Sequence, residues 1–263
     1  MSEMKNFSNI EAIILDKDGV FVNFQNLWLR VIAYRAQLIA ELSCDNSPSF
    51  AKVRAACIRA MGIDEDDETV DPMGPAAMPA DSVRLALATA LYINKNDEDP
   101  SFSWSKAFNI VDESMVKTRE DLDIIEMSEP IAGSVEKIKE LTTAGFKVAV
   151  YTSDAEEHAK ATLEKFGITK EISAIQAGEL KTETNYRSLC KELKVKPENT
   201  LLLTDSPIDL AAARAAGANS IVVFSGVVDK LLHQGLINGL ADETLDSIAD
   251  LDLNSLGKKK ALA

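Results

Sequence analysis

The stretch "EAIILDKDGVF", residues 11–21, joins an apolar run to two acids placed two positions apart. The run AIIL predicts a short strand that is buried on both faces, because continuous apolar strands are typical of covered parallel sheets. Asp16 and Asp18 follow the run directly, and Gly19 allows the backbone to turn sharply after them. Carboxylates at the end of a buried strand need a chemical reason, and the rest of the chain supplies one.

Apolar runs and helical patterns alternate after residue 130. This alternation predicts an α/β fold with a Rossmann-like parallel sheet and helices on both of its faces. The further strands are expected at 146–152, 172–177, 200–204 and 220–224. The helices are expected near 133–144, 155–166, 183–194 and 208–216.

Residues 24–129 have a different pattern, with apolar residues at helical spacing and no convincing strand. They predict an all-helical domain inserted between the first and second strands of the sheet. Residues 1–23 and 130–252 would then form the α/β core domain. The last residues, 253–263, are expected to be a flexible C-terminal tail.

The composition of the chain argues against some classes of partner and indicates a cellular compartment. The 263 residues carry a formal net charge of −14, which repels nucleic acid phosphates and anionic membrane surfaces. No apolar run approaches the roughly 18 residues of a membrane span. Three scattered cysteines and two histidines show no disulfide framework and no metal-ligand spacing. We therefore expect a cytoplasmic protein without nucleic acid or membrane partners, and the sequence does not indicate an oligomeric state.

Polar residues follow the ends of several predicted strands. The strand at 200–204 is followed by Asp205, Ser206 and Asp209, and the strand at 146–152 ends in Thr152, Ser153 and Asp154. In open parallel sheets, ligands bind beyond the carboxyl ends of the strands, where the strand order reverses. If the strand at 200–204 lies on the other side of the first strand, Asp205 becomes a neighbour of Asp16.

A cluster of acids at one sheet edge is unfavourable unless a cation neutralises it. Mg²⁺ prefers oxygen ligands, and its protein sites often combine one or two carboxylates with water and a phosphate oxygen. The cluster therefore predicts a magnesium-dependent phosphate site. The alternative is that each acid caps a helix or loop, which is plausible for Asp209 alone because it lies in a first helical turn.

Four motifs occur in order and carry a resemblance to a known family. They are "LDKDGVF" (15–21), "VAVYTSD" (148–154), Lys181 in "AGELKTET" (177–184) and "LLLTDSPIDLAAARAAGA" (201–218). The chain resembles the haloacid dehalogenase (HAD) superfamily, in its phosphatase branch with a helical cap, like the phosphoglycolate phosphatases. The resemblance covers roughly residues 10–23 and 130–252. It implies that the inserted all-helical domain is a cap that acts as a lid, with hinges near 22–25 and 127–133. Departures from the common pattern occur at Lys17, Thr182 and Thr204.

The resemblance implies roles for the acids. Asp16 would be the nucleophile that forms an aspartyl-phosphate. Asp18 would protonate the leaving oxygen and then activate water, and its main-chain carbonyl would bind Mg²⁺. Asp16 and Asp205 would also bind the metal, and Asp209 and Ser206 would support it from the next layer.

The resemblance also implies which residues bind the phosphoryl group. Thr152 would donate hydrogen bonds to it, with Ser153 as the competing assignment because the strand end is ambiguous by one residue. Lys181 would neutralise one of its oxygens.

These roles predict a Mg²⁺-dependent phosphatase that hydrolyses a small phosphorylated metabolite through an aspartyl-phosphate. One alternative is a phosphomutase acting on a sugar phosphate, which would use the same acids. A dehalogenase using Asp16 alone would leave Asp18 and Asp205 without a role. The alternative from another functional class is a catalytically inert HAD-fold binding protein.

Overall fold

A computed structural model of the chain describes residues 6–44, 48–64, 69–230 and 233–257. The chain forms two compact units. One comprises Met1–Phe24 with Ser128–Ala263, and the other comprises Gln25–Met127. The chain therefore leaves the first unit soon after the "DKDG" turn and returns to it about a hundred residues later.

The elements are numbered in chain order. The strands are β1 (Phe7–Ser8), β2 (Ala12–Leu15), β3 (Ile63–Asp64), β4 (Thr69–Val70), β5 (Lys147–Tyr151), β6 (Ile172–Gln176), β7 (Thr200–Thr204), β8 (Asn219–Val223), β9 (Glu243–Leu245) and β10 (Leu256–Gly257). The α-helices are α1 (Arg30–Ser43), α2 (Pro48–Ala60), α3 (Ala80–Asn96), α4 (Trp104–Asp121), α5 (Ile124–Met127), α6 (Ser134–Thr143), α7 (Glu156–Lys165), α8 (Glu183–Leu193), α9 (Pro207–Ala216) and α10 (Gln234–Ile237).

The first unit contains a six-stranded sheet in the order β6-β5-β2-β7-β8-β9, and every neighbouring pair is parallel. This confirms the predicted α/β fold. Strand β2 lies at the centre, with β5 on one side and β7 on the other. The strand order therefore reverses at β2, which brings the residues after β2 and β7 to the same edge of the sheet.

Both faces of the central strands are buried, as continuous apolar strands require. On one face, alternate strand residues pack against α8 and α9, and this core includes Ile14, Tyr151, Tyr186 and Leu202. Residues of the opposite parity, such as Ile13 and Leu15, are also fully buried, and α6 packs against β5. The edge that carries the acids is therefore held by a rigid core.

The second unit consists mainly of α1 to α5, preceded by a π-helical turn at Gln25–Leu29. The expectation that residues 24–129 contain no strand is wrong in one place. Strands β3 and β4 form an antiparallel ladder in which Ile63 lies opposite Val70. Each strand has only two residues, too few for the alternation that identifies a strand in a sequence.

The expectation of a tail from residue 253 is also partly wrong. Leu253–Ser255 form a 3₁₀ turn, and β10 pairs in parallel with β1, with Leu256 opposite Phe7. Leu256 and Phe7 are both buried, so apolar burial fixes this segment to the α/β unit. Residues 258–263 lie outside the described residues. In the described ranges, none of the helices has the length and apolar character needed to span a bilayer.

Candidate active site

The residues that follow β2 and β7 meet at the strand-order reversal. The Asp16 amide donates to the Leu203 carbonyl at 3.0 Å, which aligns the end of β2 with the end of β7. Lys181 reaches into the same place from the loop after β6, and its Nζ lies 2.7 Å from Asp16 Oδ1 and 2.5 Å from Asp209 Oδ2. The structure therefore brings together three residues that are far apart in the sequence.

The Thr204 hydroxyl completes this group. Its Oγ1 lies 2.8 Å from Asp209 Oδ2 and 3.3 Å from Asp16 Oδ2, and it accepts a hydrogen bond from the Ser206 amide at 3.0 Å. Asp209 thus holds both Lys181 and Thr204 in place, and all of these side chains are buried. From the sequence, Thr204 was only a departure from the common motif pattern, because a sequence does not reveal which polar group a hydroxyl contacts.

Burial and neighbouring charges have opposing effects on the pKa values of Asp16 and Lys181. Burial is the largest effect on Asp16 and raises its pKa to about 6, while the Lys181 ammonium lowers it and the Asp209 carboxylate raises it further. Burial alone would lower the pKa of Lys181, but the carboxylates of Asp16 and Asp209 outweigh it and raise that pKa. Lys181 is therefore a fixed positive charge beside the Asp16 carboxylate.

Asp205 lies in a tight backbone cradle. Its Oδ2 accepts a hydrogen bond from the Val227 amide at 2.8 Å. A Cβ built on Gly19 would lie 2.0 Å from Asp205 Oδ2, and one on Gly226 would lie 1.8 Å from it. The segment "SGV" (225–227) follows β8 at the same sheet edge, and sequence analysis missed it. Its signal was a glycine close after an apolar strand.

The carboxylates of Asp205 and Asp16 interact. Burial first, and then the negative charge of Asp16, raise the pKa of Asp205 well above its ordinary value. Two buried carboxylates that repel each other supply the hard oxygen donors that Mg²⁺ prefers, and a bound cation would relieve the repulsion. Within the described ranges, three or more Asp, Glu, His or Cys side chains do not gather as a metal-binding group. The carboxylates of Asp16 and Asp205 are the donors in this cluster whose chemistry suits a hard divalent cation.

Asp18 has a different partner from Asp16. Both of its carboxylate oxygens lie 2.9 Å from Nζ of Lys17. Burial raises the pKa of Asp18, the Lys17 charge lowers it, and the nearby Asp154 carboxylate raises it again. Lys17 also lies 3.3 Å from Asp154 Oδ2, and Asp154 Oδ1 lies 3.5 Å from Nδ1 of His158. Sequence analysis assigned no role to His158.

The remaining predicted residues lie near the ends of β5 and β7. Thr152 is buried, and its amide donates to the Gln176 carbonyl at 2.9 Å, while its Oγ1 accepts from the Asp154 amide at 3.2 Å. Ser153 is more exposed than Thr152. Ser206 is buried immediately before α9, and its amide donates a hydrogen bond to Oγ1 of Thr204.

Comparison with known proteins gives a consistent family. The family model of haloacid dehalogenase-like hydrolases matches residues 10–217. A phosphoglycolate phosphatase from Chromobacterium violaceum is 23% identical over 251 residues, covering 94% of this chain and 96% of that protein. A phosphoglycolate phosphatase from Rhodospirillum rubrum is 29% identical over 99 residues. That match covers 36% of this chain and only 41% of the relative's length.

Solved structures share the fold. A protein from Haemophilus somnus described as a predicted phosphoglycolate phosphatase matches with a TM-score of 0.65 and 17% identity, covering 92% of this chain and 96% of that one. A candidate β-phosphoglucomutase from Thermotoga maritima matches with a TM-score of 0.57 and 18% identity, covering 94% and 97%. At these identities the likeness extends to the fold alone.

Proposed function

Because the chain belongs to the haloacid dehalogenase-like hydrolases, we propose that it is a Mg²⁺-dependent phosphatase acting on a small phosphorylated metabolite. The observation that supports this most directly is the pairing of Asp16 with Lys181 at the strand-order reversal. A carboxylate beside a fixed cation, at the edge where parallel sheets bind ligands, suits attack on a phosphoryl group.

Asp16 is the proposed nucleophile. One of its oxygens attacks phosphorus and the bond to the leaving oxygen breaks, which leaves an aspartyl-phosphate on Asp16. Lys181 neutralises a phosphoryl oxygen. Asp209 holds Lys181 through an ion pair, and Thr204 links Asp209 to Asp16. Thr152 or Ser153, at the end of β5, would donate a hydrogen bond to the same group.

Asp18 is the proposed general acid and base. As an acid it gives its proton to the leaving oxygen, and as a base it takes a proton from the water that hydrolyses the aspartyl-phosphate. Its carboxyl lies two residues beyond the nucleophile, and the positive φ of 79° at Gly19 turns the backbone directly after it.

The carboxylates of Asp16 and Asp205 and the main-chain carbonyl of Asp18 would hold Mg²⁺, with Asp209 and Ser206 behind them. When bound, the cation supplies charge neutralisation for the phosphoryl oxygens. The Val227 amide and the close backbone of Gly19 and Gly226 hold the Asp205 carboxylate in place.

The names of the relatives guide the substrate class. Two curated relatives are phosphoglycolate phosphatases, so a phosphorylated two- or three-carbon acid is the first class to test. A phosphomutase is the second candidate, because a structural neighbour is described as a β-phosphoglucomutase. The acidic net charge argues against nucleic acid partners, and we propose a cytoplasmic location.

The test is hydrolysis of 4-nitrophenyl phosphate with and without Mg²⁺, by the native chain and by Asp16→Asn. We expect turnover that requires Mg²⁺ and falls by roughly 10³-fold or more in the variant, since a carboxamide does not attack phosphorus. Release of inorganic phosphate from phosphoglycolate then separates a phosphatase from a mutase. Metal-independent turnover, or an unchanged rate in Asp16→Asn, would refute the proposal.

A further inference from the structure

Lys17 is a buried lysine placed between two acids. It is only 2% exposed, and its Nζ lies 2.9 Å from both carboxylate oxygens of Asp18 and 3.3 Å from Oδ2 of Asp154. A buried ammonium without counter-charges is strongly destabilising, so both acids are required where they are. Lys17 lies between the two acids of the first motif, Asp16 and Asp18.

Asp154 is itself fixed. Its Oδ1 accepts a hydrogen bond from the Ala155 amide at 2.8 Å and lies 3.5 Å from Nδ1 of His158, and its own amide donates to Oγ1 of Thr152. Because β5 and β2 are hydrogen-bonded neighbours, Asp154 provides a rigid point beside the end of β2. Lys17 thus connects the side chain of Asp18 to the loop after β5.

We propose that Lys17, anchored by Asp154, is a positioning residue that holds the Asp18 carboxyl in the orientation needed for proton transfer to the leaving oxygen. This inference rests on the proposed phosphatase function and on the acid role of Asp18. The Asp18 side chain is 18% exposed, so without Lys17 it would be free to change rotamer and to be solvated. A misplaced acid transfers its proton poorly even when the nucleophile is intact.

The first chemical step combines phosphoryl transfer to Asp16 with proton transfer from Asp18. The bond between Asp16 and phosphorus forms while the bond to the leaving oxygen breaks, and the proton of Asp18 moves to that oxygen. An alkoxide is a poor leaving group and needs the proton, whereas 4-nitrophenolate departs without it. Loss of positioning therefore slows the reaction of an alkyl phosphate and largely spares that of an aryl phosphate.

The experiment compares kcat/KM for phosphoglycolate and 4-nitrophenyl phosphate, because this constant covers the steps up to departure of the leaving group. For Lys17→Met we expect a fall of about 10-fold or more with phosphoglycolate and less than about 3-fold with 4-nitrophenyl phosphate. Asp154→Asn should change the ratio in the same direction by a smaller factor, and it decides the matter if Lys17→Met does not fold. Lys160→Met, on the exposed surface of α7, is the matched control.

The outcomes are distinct. An unchanged ratio in the folded variants, or an equal loss with both substrates, would overturn the positioning role, because a structural defect does not discriminate between leaving groups. If the native chain hydrolyses neither substrate with Mg²⁺, the phosphatase function fails and this inference fails with it. A selective loss that Lys160→Met does not reproduce supports the inference.

Discussion

Gly19 and Asp205 lie so close that a Cβ built on Gly19 would fall 2.0 Å from Oδ2 of Asp205. Gly19 also has φ of 79°, which side chains with a Cβ rarely adopt. The glycine after the first two acids therefore has two functions. It turns the backbone, and it leaves room for an acid delivered by another strand.

Gly19→Ala should separate these two effects when it is compared with Gly217→Ala. Gly217 has a nearly identical φ of 81°, but a Cβ there meets nothing within 4 Å. We expect Gly217→Ala to lose about 1 kcal/mol of unfolding free energy from backbone strain, and Gly19→Ala to lose more because its Cβ also clashes with Asp205. Only Gly19→Ala should also lose Mg²⁺-dependent turnover, because Asp205 must move. Equal activity in the two variants would contradict the claim that Gly19 leaves room for the Asp205 carboxylate.

Asp205→Asn should make the protein more stable without metal and insensitive to Mg²⁺. The substitution removes a buried acid whose ionisation burial and Asp16 disfavour, and the amide oxygen still accepts from Val227. We expect a gain of roughly 1–2 kcal/mol without metal at neutral pH. Mg²⁺ should raise the melting temperature of the native chain but not that of the variant.

The control for this measurement is Asp246→Asn, since that side chain is 82% exposed and pairs with the exposed Lys230. Its melting temperature should rise with Mg²⁺ as the native one does. A Mg²⁺ response that survives in Asp205→Asn would remove Asp205 from the metal site.

Much of this architecture follows from local sequence patterns. The β2 strand and the acids after it were predictable because burial on both faces makes the strand continuously apolar, and the chain must then turn at a glycine. The sequence left open on which side of the first strand the strand at 200–204 lies, and the structure places it opposite β5. The short strands β3, β4 and β10 were not predictable, because two residues carry no periodicity.

The sequence likewise predicted some residues of the candidate site but not all of their contacts. Asp16, Lys181 and Asp209 were predicted and are brought together, because each lies next to a strand end or a helix start. The contact of Lys17 with Asp154 was not predicted. It depends on how two loops pack, and a lysine between two acids in a sequence is usually a solvated surface residue.

Arg35→Met should stabilise the helical unit. Arg35 on α1 is 7% exposed, and in the part of the chain that the structure describes its Nε has no hydrogen-bond partner. Burial, followed by the charge of Arg119, lowers its pKa to about 10, so it is still charged at neutral pH. A methionine fills similar space without an unpaired charge, so we expect a gain of about 1–2 kcal/mol.

Chemical denaturation measures this gain, and Arg59→Met on the exposed side of α2 is the control, with an expected change within about 0.5 kcal/mol. A loss of stability in Arg35→Met alone would show that the guanidinium is satisfied in solution.

The pair formed by His158 and Asp154 should make stability depend on pH. The Asp154 carboxylate raises the pKa of His158, while burial and the Lys17 charge oppose it and Glu157 adds to it. On Asp154, burial raises the pKa, but His158 and Lys17 together lower it. The raised His158 pKa contributes stability that is complete below the unfolded value of about 6.5 and is lost as pH rises through the folded value. The lowered Asp154 pKa contributes stability that is lost only as pH falls through its own folded value.

His158→Gln should therefore destabilise the protein more at about pH 5.5 than at about pH 8. The His158 side chain is 33% exposed, so solvent weakens the pair and we expect a difference of only about 0.5 kcal/mol between the two pH values. Urea unfolding of both proteins at both pH values measures it, with the NMR titration of His158 as the direct readout of its pKa. His233→Gln is the control for the second histidine. An equal effect at the two pH values, or a difference of the opposite sign, would mean that His158 is not paired with Asp154.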